Sequence, residues 1–307
     1  MRIAILGSGA VGGYFGGRLA EAGADVAFIA RGEQLAALRS QGLHIRSPLG
    51  DLHLREVNAT DDPAAVGPVD IVFFSVKLYD TQAALPLLPP LIGPKTLVIP
   101  LQNGVDAVDV LTRAVGRSHV AGGTTYVVAV VREPGVIQHT AMDRLIVGPV
   151  QGPPPPLLED LRDFGKRAGF DAVLSDRIVV DIWAKFTRLS VFSAITSVTR
   201  CSIGPIRSDR DLRGIMETAW RESILVARGK QIPLPASTFA DIQAATSALP
   251  ADARSSMLED LERGRRLELP WLSGAVVRIA GEVGVDVPTH RLFVTLLGPH
   301  VNGHQTG

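Results

Sequence analysis

A short apolar run, Arg2–Leu6, leads into Gly7-Ser8-Gly9-Ala10-Val11-Gly12, and a helical pattern runs on from there to Ala22 and stops at Gly23. This order of strand, glycine loop and helix is the strongest constraint in the chain. In a GxGxxG turn the first glycine makes the tight bend, the second lets a pyrophosphate approach the backbone, and the third lets helix and strand pack closely. The helix N-terminus then offers N–H groups and partial positive charge to the phosphates. Gly7, Ser8, Gly9, Ala10, Val11 and Gly12 are therefore expected to bind a dinucleotide.

Which dinucleotide turns on the end of the next strand, where an acid would hold a ribose 2′-hydroxyl. The run Asp25–Ala30 ends instead in Arg31. A guanidinium binds a 2′-phosphate in bidentate fashion whereas a carboxylate repels it, so NADP(H) is the expected cofactor. The alternative is that Arg31 is an ordinary solvated charge at a strand end.

The rest of the first half repeats the alternation. A helix over Glu33–Gln41, a polar hairpin-like region from His44 to Val57, strands at Asp70–Val76 and Thr96–Pro100, a helix near Val105–Val115 and a strand at Val120–Val131 imply βαβ units and a parallel sheet buried on both faces. Ile137–Val147 reads as antiparallel material added at the sheet edge. Four prolines, Pro153–Pro156, make a stiff turn, Leu157–Ala168 is helical, and Asp171–Leu174 returns one more strand.

After Arg177 only helical patterns remain: Ile178–Val198, Asp211–Arg228, Pro235–Thr246, Ser256–Arg263 and Trp271–Val283, punctuated at Gly204–Pro205, Pro233–Pro235 and Leu249–Pro250. The expected fold class is α/β: a Rossmann-type dinucleotide-binding domain over residues 1–176 and an all-helical substrate domain over 177–307.

Thirty-one basic and 31 acidic residues balance, which leaves no electrostatic footprint for nucleic acid or an anionic membrane. The balance hides a bias, with 15 basic against 18 acidic residues up to position 176 and 16 against 13 beyond it. No apolar run approaches the roughly 18 residues of a membrane span, and the apolar stretch at the N-terminus is too short for a secretory signal, so a cytoplasmic protein is expected. The single cysteine, Cys201, excludes an intramolecular disulfide and a cysteine-rich metal site. His300 and His304 alone have ligand-like spacing, at the C-terminus, and no metal is expected.

Further segments complete the pattern. Ser75-Val76-Lys77 and Pro100-Leu101-Gln102-Asn103-Gly104 end two strands, which places Lys77 and Asn103 on the same rim as the glycine loop, where ligands of open parallel sheets bind. Ile182-Trp183-Ala184-Lys185-Phe186 opens the long helix, and Ser255-Ser256-Met257-Leu258 and Arg266-Leu267-Glu268 follow. As an ordered set running nearly the whole chain, these resemble the ketopantoate reductase (2-dehydropantoate 2-reductase) family. The resemblance implies NADPH-dependent reduction of a small anionic 2-oxo acid, ketopantoate, in pantothenate synthesis.

It also implies that Lys185 is the catalytic acid, with Glu268 as the second catalytic residue, hydrogen-bonding a substrate hydroxyl or orienting Lys185, that Asn103 binds cofactor and substrate carbonyl, that Lys77 lies near the nicotinamide ribose or substrate, and that Ser256 contacts the substrate. A positioned ammonium suits the task, because it stabilises a developing alkoxide and donates a proton to it. Lysine is scarce here, with five among the 31 basic residues. Ser256 and Glu268 would stand roughly 120° apart on one straight helix, so a break near Gly264–Arg266 is expected. Ser256-Met257-Leu258-Glu259 also reads as a capping box, which leaves Ser256 with two readings, substrate contact or helix cap.

The family's asparagines four and eight residues after the lysine are Leu189 and Ser193 here. Ser193 remains a substrate-binding candidate, but a site with fewer hydrogen-bonding groups discriminates less well for a polar hydroxy acid. Three readings follow: a ketopantoate reductase, a reductase of another 2-oxo acid, or a non-catalytic NADP(H)-binding sensor. Oligomeric state is not legible in the sequence; a homodimer is the assembly to test.

Overall fold

The computed structural model describes residues 1–303. Contacts divide the chain into two units, Met1–Gln102 with Asp106–Ile178, and Asn103–Val105 with the residues from Val179 onward.

In the first unit the strands are β1 (Arg2–Leu6), β2 (Asp25–Ile29), β3 (Leu43–Arg46), β4 (Leu52–Leu54), β5 (Asn58–Thr60), β6 (Val69–Phe74), β7 (Ile92–Pro100), β8 (Ala121–Glu133), β9 (Val136–Pro149) and β10 (Ala172–Leu174). Five of them form a sheet in the order β5-β2-β1-β6-β7, and every neighbouring pair is parallel. Connections leave β1 toward β2 on one side and return to β6 on the other, so the topological switch point lies beside β1. Strand β1 shows why the sheet is covered twice. Ile3 and Ile5 join one core and Ala4 and Leu6 the other, as the period of two requires.

The remaining strands form a second sheet, which corrects the reading of residues 120–147 and 171–174 as part or edge of the first. Its order is β10-β9-β3-β4, with β8 antiparallel to β9. Strand β9 is thus central, parallel to β3 and β10, and the hairpin-like region contributes β3 and β4 to this sheet. The physical reason lies in the helix Ala10–Glu21, which carries two glycine pairs four residues apart. Side chains at Gly12 and Gly16 would strike Ile5 of β1, while those at Gly13 and Gly17 would strike Ile137 of β9 and Ile45 of β3. With i and i+4 on one helix face, each pair clears a close approach to a different sheet.

The second unit is helical: Ile178–Thr199 runs into it, followed by Ile203–Ser208, Arg210–Gly229, Thr238–Ser247, Ser256–Glu262, Ser273–Val283 and Pro288–Leu297. The long helix contributes Val180, Trp183 and Phe186 to one core and Val191, Ala194 and Ile195 to another. Two of these helices are absent from the sequence reading. Gly204–Pro205 sits inside Ile203–Ser208, because proline is tolerated in the first turn. Pro288–Leu297 starts with proline and is capped from a distance: the buried Glu222 carboxylate accepts the backbone N–H groups of Thr289 (2.9 Å) and His290 (3.0 Å).

Among the described residues no helix is long and apolar enough to cross a membrane, and no group of three or more His, Cys, Asp or Glu is placed to hold a metal ion. His304 lies outside the described residues.

Candidate active site

The glycine loop follows β1 at the switch point. Gly7 has φ +102°, and a Cβ there would meet the backbone of Val76 at 2.6 Å, so only glycine closes this turn. A Cβ on Gly12 would collide with the Ser75 hydroxyl and the Gly7 carbonyl. Ser75 itself donates its hydroxyl to the Gly7 carbonyl at 2.9 Å, which ties the loop to the end of β6. Gly9 differs from both, since nothing lies within 4 Å of where its Cβ would stand. It caps the helix Ala10–Glu21 without any side-chain capping bond. An open backbone approach at an uncapped helix N-terminus fits a pyrophosphate.

Two further side chains hold this loop in place. Ser8 is buried and donates to the Ile29 carbonyl at 3.2 Å. Gln34 donates to the Ser8 carbonyl at 2.9 Å and accepts from the Gly135 N–H at 3.0 Å, bridging the loop to the turn between β8 and β9. Sequence reasoning missed Gln34, because its partners are 26 and 101 residues away. Arg31 stands beyond β2 with its side chain 79% exposed, 3.0 Å from the Asp80 carboxylate. Lys77 is exposed and precedes the short turn Leu78–Asp80. Gln102 donates to the Val76 carbonyl (2.8 Å) and to the Thr81 hydroxyl (2.9 Å), fixing the segment between β6 and that turn.

The second unit assembles a different group. Lys185 lies on the long helix between the buried Trp183 and Phe186. Burial pushes its ammonium pKa from 10.5 down to about 8, the like charge of Arg188 pushes in the same direction, and Glu268 opposes both. Arg188 was not singled out in the sequence, although its spacing of three places it beside Lys185 on one helix face. Glu268 is 8% exposed, at the start of the turn Leu269–Trp271. Its Oε2 accepts a long hydrogen bond, 3.4 Å, from the Asn103 amide. Asn103 belongs by its contacts to the helical unit, although it directly follows strand β7 and its neighbour Gln102. Lys185, Glu268 and Asn103 are therefore brought together, while Lys77 and the glycine loop belong to the other unit.

The helix near residue 256 requires a correction. Its cap is Ser255, whose hydroxyl accepts the Leu258 N–H at 3.1 Å and pairs with the Thr196 hydroxyl at 2.7 Å. Ser256 is the first helical residue and is exposed, so the capping-box reading was displaced by one position. The reason is burial: Ser255 can satisfy a buried hydroxyl and a helix end together, which Ser256 in its outward position cannot. The break between Ser256 and Glu268 falls at Gly264, φ +63°. Ser193 is 1% exposed on the long helix, and Leu189 is a partly buried apolar residue of the core around Trp183.

Comparison with known proteins now decides the family. The model for ketopantoate reductase PanE/ApbA matches residues 3–152, and the model for the C-terminal part of the same family matches residues 177–300. The chain belongs to the ketopantoate reductase family. As a member of it, the chain is an NADP-dependent oxidoreductase. A 2-dehydropantoate 2-reductase of Archaeoglobus fulgidus is 33% identical over 96% of both chains. The crystal structure of a PanE/ApbA family ketopantoate reductase from Ralstonia eutropha superposes with a TM-score of 0.89 at 31% identity over 98% of both chains. D-mandelate dehydrogenase, solved with NADH and anilino(oxo)acetate, shares the fold at a TM-score of 0.90 and 20% identity over 98% of both chains.

Within this family frame, the residues that would hold NADP(H) are the Gly7–Gly12 loop and Arg31. Gly9's open backbone and the uncapped helix start fit the pyrophosphate, and the exposed guanidinium fits the 2′-phosphate.

Proposed function

We propose that the chain catalyses the NADPH-dependent reduction of 2-dehydropantoate (ketopantoate) to pantoate, a step of pantothenate biosynthesis. The observation that carries this reading is the grouping of Lys185, Glu268 and Asn103, a half-buried lysine whose pKa is lowered to about 8 beside a carboxylate and an amide. When bound, NADPH supplies the hydride. Reduction of the 2-oxo group leaves negative charge on the former carbonyl oxygen, and the Lys185 ammonium stabilises that charge and passes its proton to the oxygen.

The pKa of about 8 serves this role from both sides. At neutral pH most Lys185 is protonated, yet its proton is far more acidic than that of an unperturbed lysine. Glu268 keeps the ammonium from titrating lower still, and its Oε2 accepts a long hydrogen bond from the Asn103 amide. Arg188 adds positive charge suited to the carboxylate of a 2-oxo acid.

A second reading, the same chemistry on a less polar 2-oxo acid, is favoured by Leu189, which presents a branched apolar side chain where the family carries an amide. Steady-state NADPH oxidation with ketopantoate and a panel of 2-oxo acids separates the two. Ketopantoate should give the highest kcat/KM. No turnover of ketopantoate at saturating NADPH would overturn the assignment, and turnover of a less polar acid in its place would establish the second reading.

A further inference from the structure

Arg31 does not stand alone at the end of β2. Its guanidinium Nη2 is 3.0 Å from Asp80 Oδ2, and the two partners differ in exposure. Arg31 is a long side chain, 79% exposed. Asp80 closes the turn Leu78–Asp80, with its N–H bonded to the Lys77 carbonyl at 2.9 Å and the buried Leu78 as anchor. The following Thr81 is buried and bonded to Gln102. A carboxylate on an anchored turn thus pairs with a largely exposed cation at the position where dinucleotide-binding folds read the ribose 2′ substituent.

A phosphate bound by that guanidinium at ordinary charge-assisted distance, about 2.8 Å, would lie within roughly 6 Å of the Asp80 carboxylate. That is inside the Debye length at physiological salt, so the two anions feel each other and compete for one cation. A neutral 2′-hydroxyl meets no such opposition. The exposed ion pair is itself weak, so a 2′-phosphate can exchange for Asp80, but against the carboxylate's charge.

We propose that Asp80 sets the margin of preference for NADP(H) over NAD(H), its carboxylate opposing the 2′-phosphate at Arg31. The proposal rests on Arg31 as the 2′-phosphate ligand, and the test separates the two claims. Dissociation constants for NADP+ and NAD+ are measured by calorimetry on the full chain, for the wild type, Asp80→Asn, Asp80→Ser and Arg31→Ala, with melting curves as a check on folding.

Both Asp80 variants should bind NADP+ about tenfold more tightly, equivalent to about 1.4 kcal/mol, and NAD+ within twofold of the wild type. The gain should shrink at high salt. Weaker NADP+ binding in both variants would overturn the proposal and make Asp80 a positioning residue for Arg31. Unchanged NADP+ binding would also overturn it, provided Arg31→Ala still loses NADP+ selectively. Equal loss of both dinucleotides in Arg31→Ala would instead overturn the 2′-phosphate reading itself.

Discussion

The glycine loop at the end of β1 is built from backbone, whereas the group around Lys185 is built from side chains, two of which stand 165 residues apart in the sequence. In the loop what matters is the absence of atoms: Gly7 and Gly12 leave room for the chain itself, and Gly9 faces open space that fits the proposed dinucleotide. Around Lys185, function requires atoms to be present at set distances in a desolvated setting. The first kind of site constrains residue type at fixed local spacing. The second constrains a three-dimensional arrangement that many sequences can supply.

Substitutions sharpen the contrast. Lys185→Ala should lower kcat by at least 10²–10⁴-fold, the scale of losing general acid catalysis. Its NADPH dissociation constant should stay within threefold of the wild type, read by nicotinamide fluorescence. A parallel loss of both would merge the two sites and break the comparison.

Within the loop, the expected effects divide by available space. Gly12→Ala drives a methyl into Ser75 and the Gly7 carbonyl, so it should destabilise the fold by roughly 1–3 kcal/mol in chemical denaturation and weaken NADPH binding. Gly9→Ala meets no protein atom, so its melting temperature should be unchanged while NADPH binding weakens about tenfold or more. Equal melting losses in the two variants would contradict the assignment of open space at Gly9 to the ligand.

Smaller effects test the electrostatics of Lys185. Arg188→Met removes a like charge and should move the alkaline limb of kcat upward in pH, whereas Glu268→Gln removes the opposing charge and should move it downward. Stability carries the same signature. The native ammonium titrates near 8 and the unfolded one near 10.5, so between these values the unfolded chain binds more protons and stability rises with pH. Below pH 8 both states are protonated, the desolvation cost is fully expressed, and Lys185→Met should melt higher than the wild type.

How much of this was legible in the sequence follows the same division. The parallel sheet and the loop were readable because alternating apolar runs and glycine spacing are local signals. The second sheet was not, although Gly12-Gly13 and Gly16-Gly17 announce a helix pressed from two sides. The helix Pro288–Leu297 was missed because its cap comes from Glu222, far away in the chain. Ser255 and Ser256 are adjacent and chemically identical, so only burial tells which is the cap. Lys185 and Glu268 were singled out by the ordered motif set, and the structure places them close enough to interact. Gln34 and Asp80 act through tertiary neighbours, Arg188 acts on Lys185 one turn away, and no motif marked any of them.

The most direct test of Lys185 as proton donor is the pH dependence of kcat for NADPH-driven reduction, measured for the wild type and Lys185→Ala. The wild-type rate should be level below pH 8 and fall with a single ionisation near that value, and the residual rate of Lys185→Ala should lack this limb. A limb that persists at the same pH in Lys185→Ala would contradict the account and assign the proton to another group.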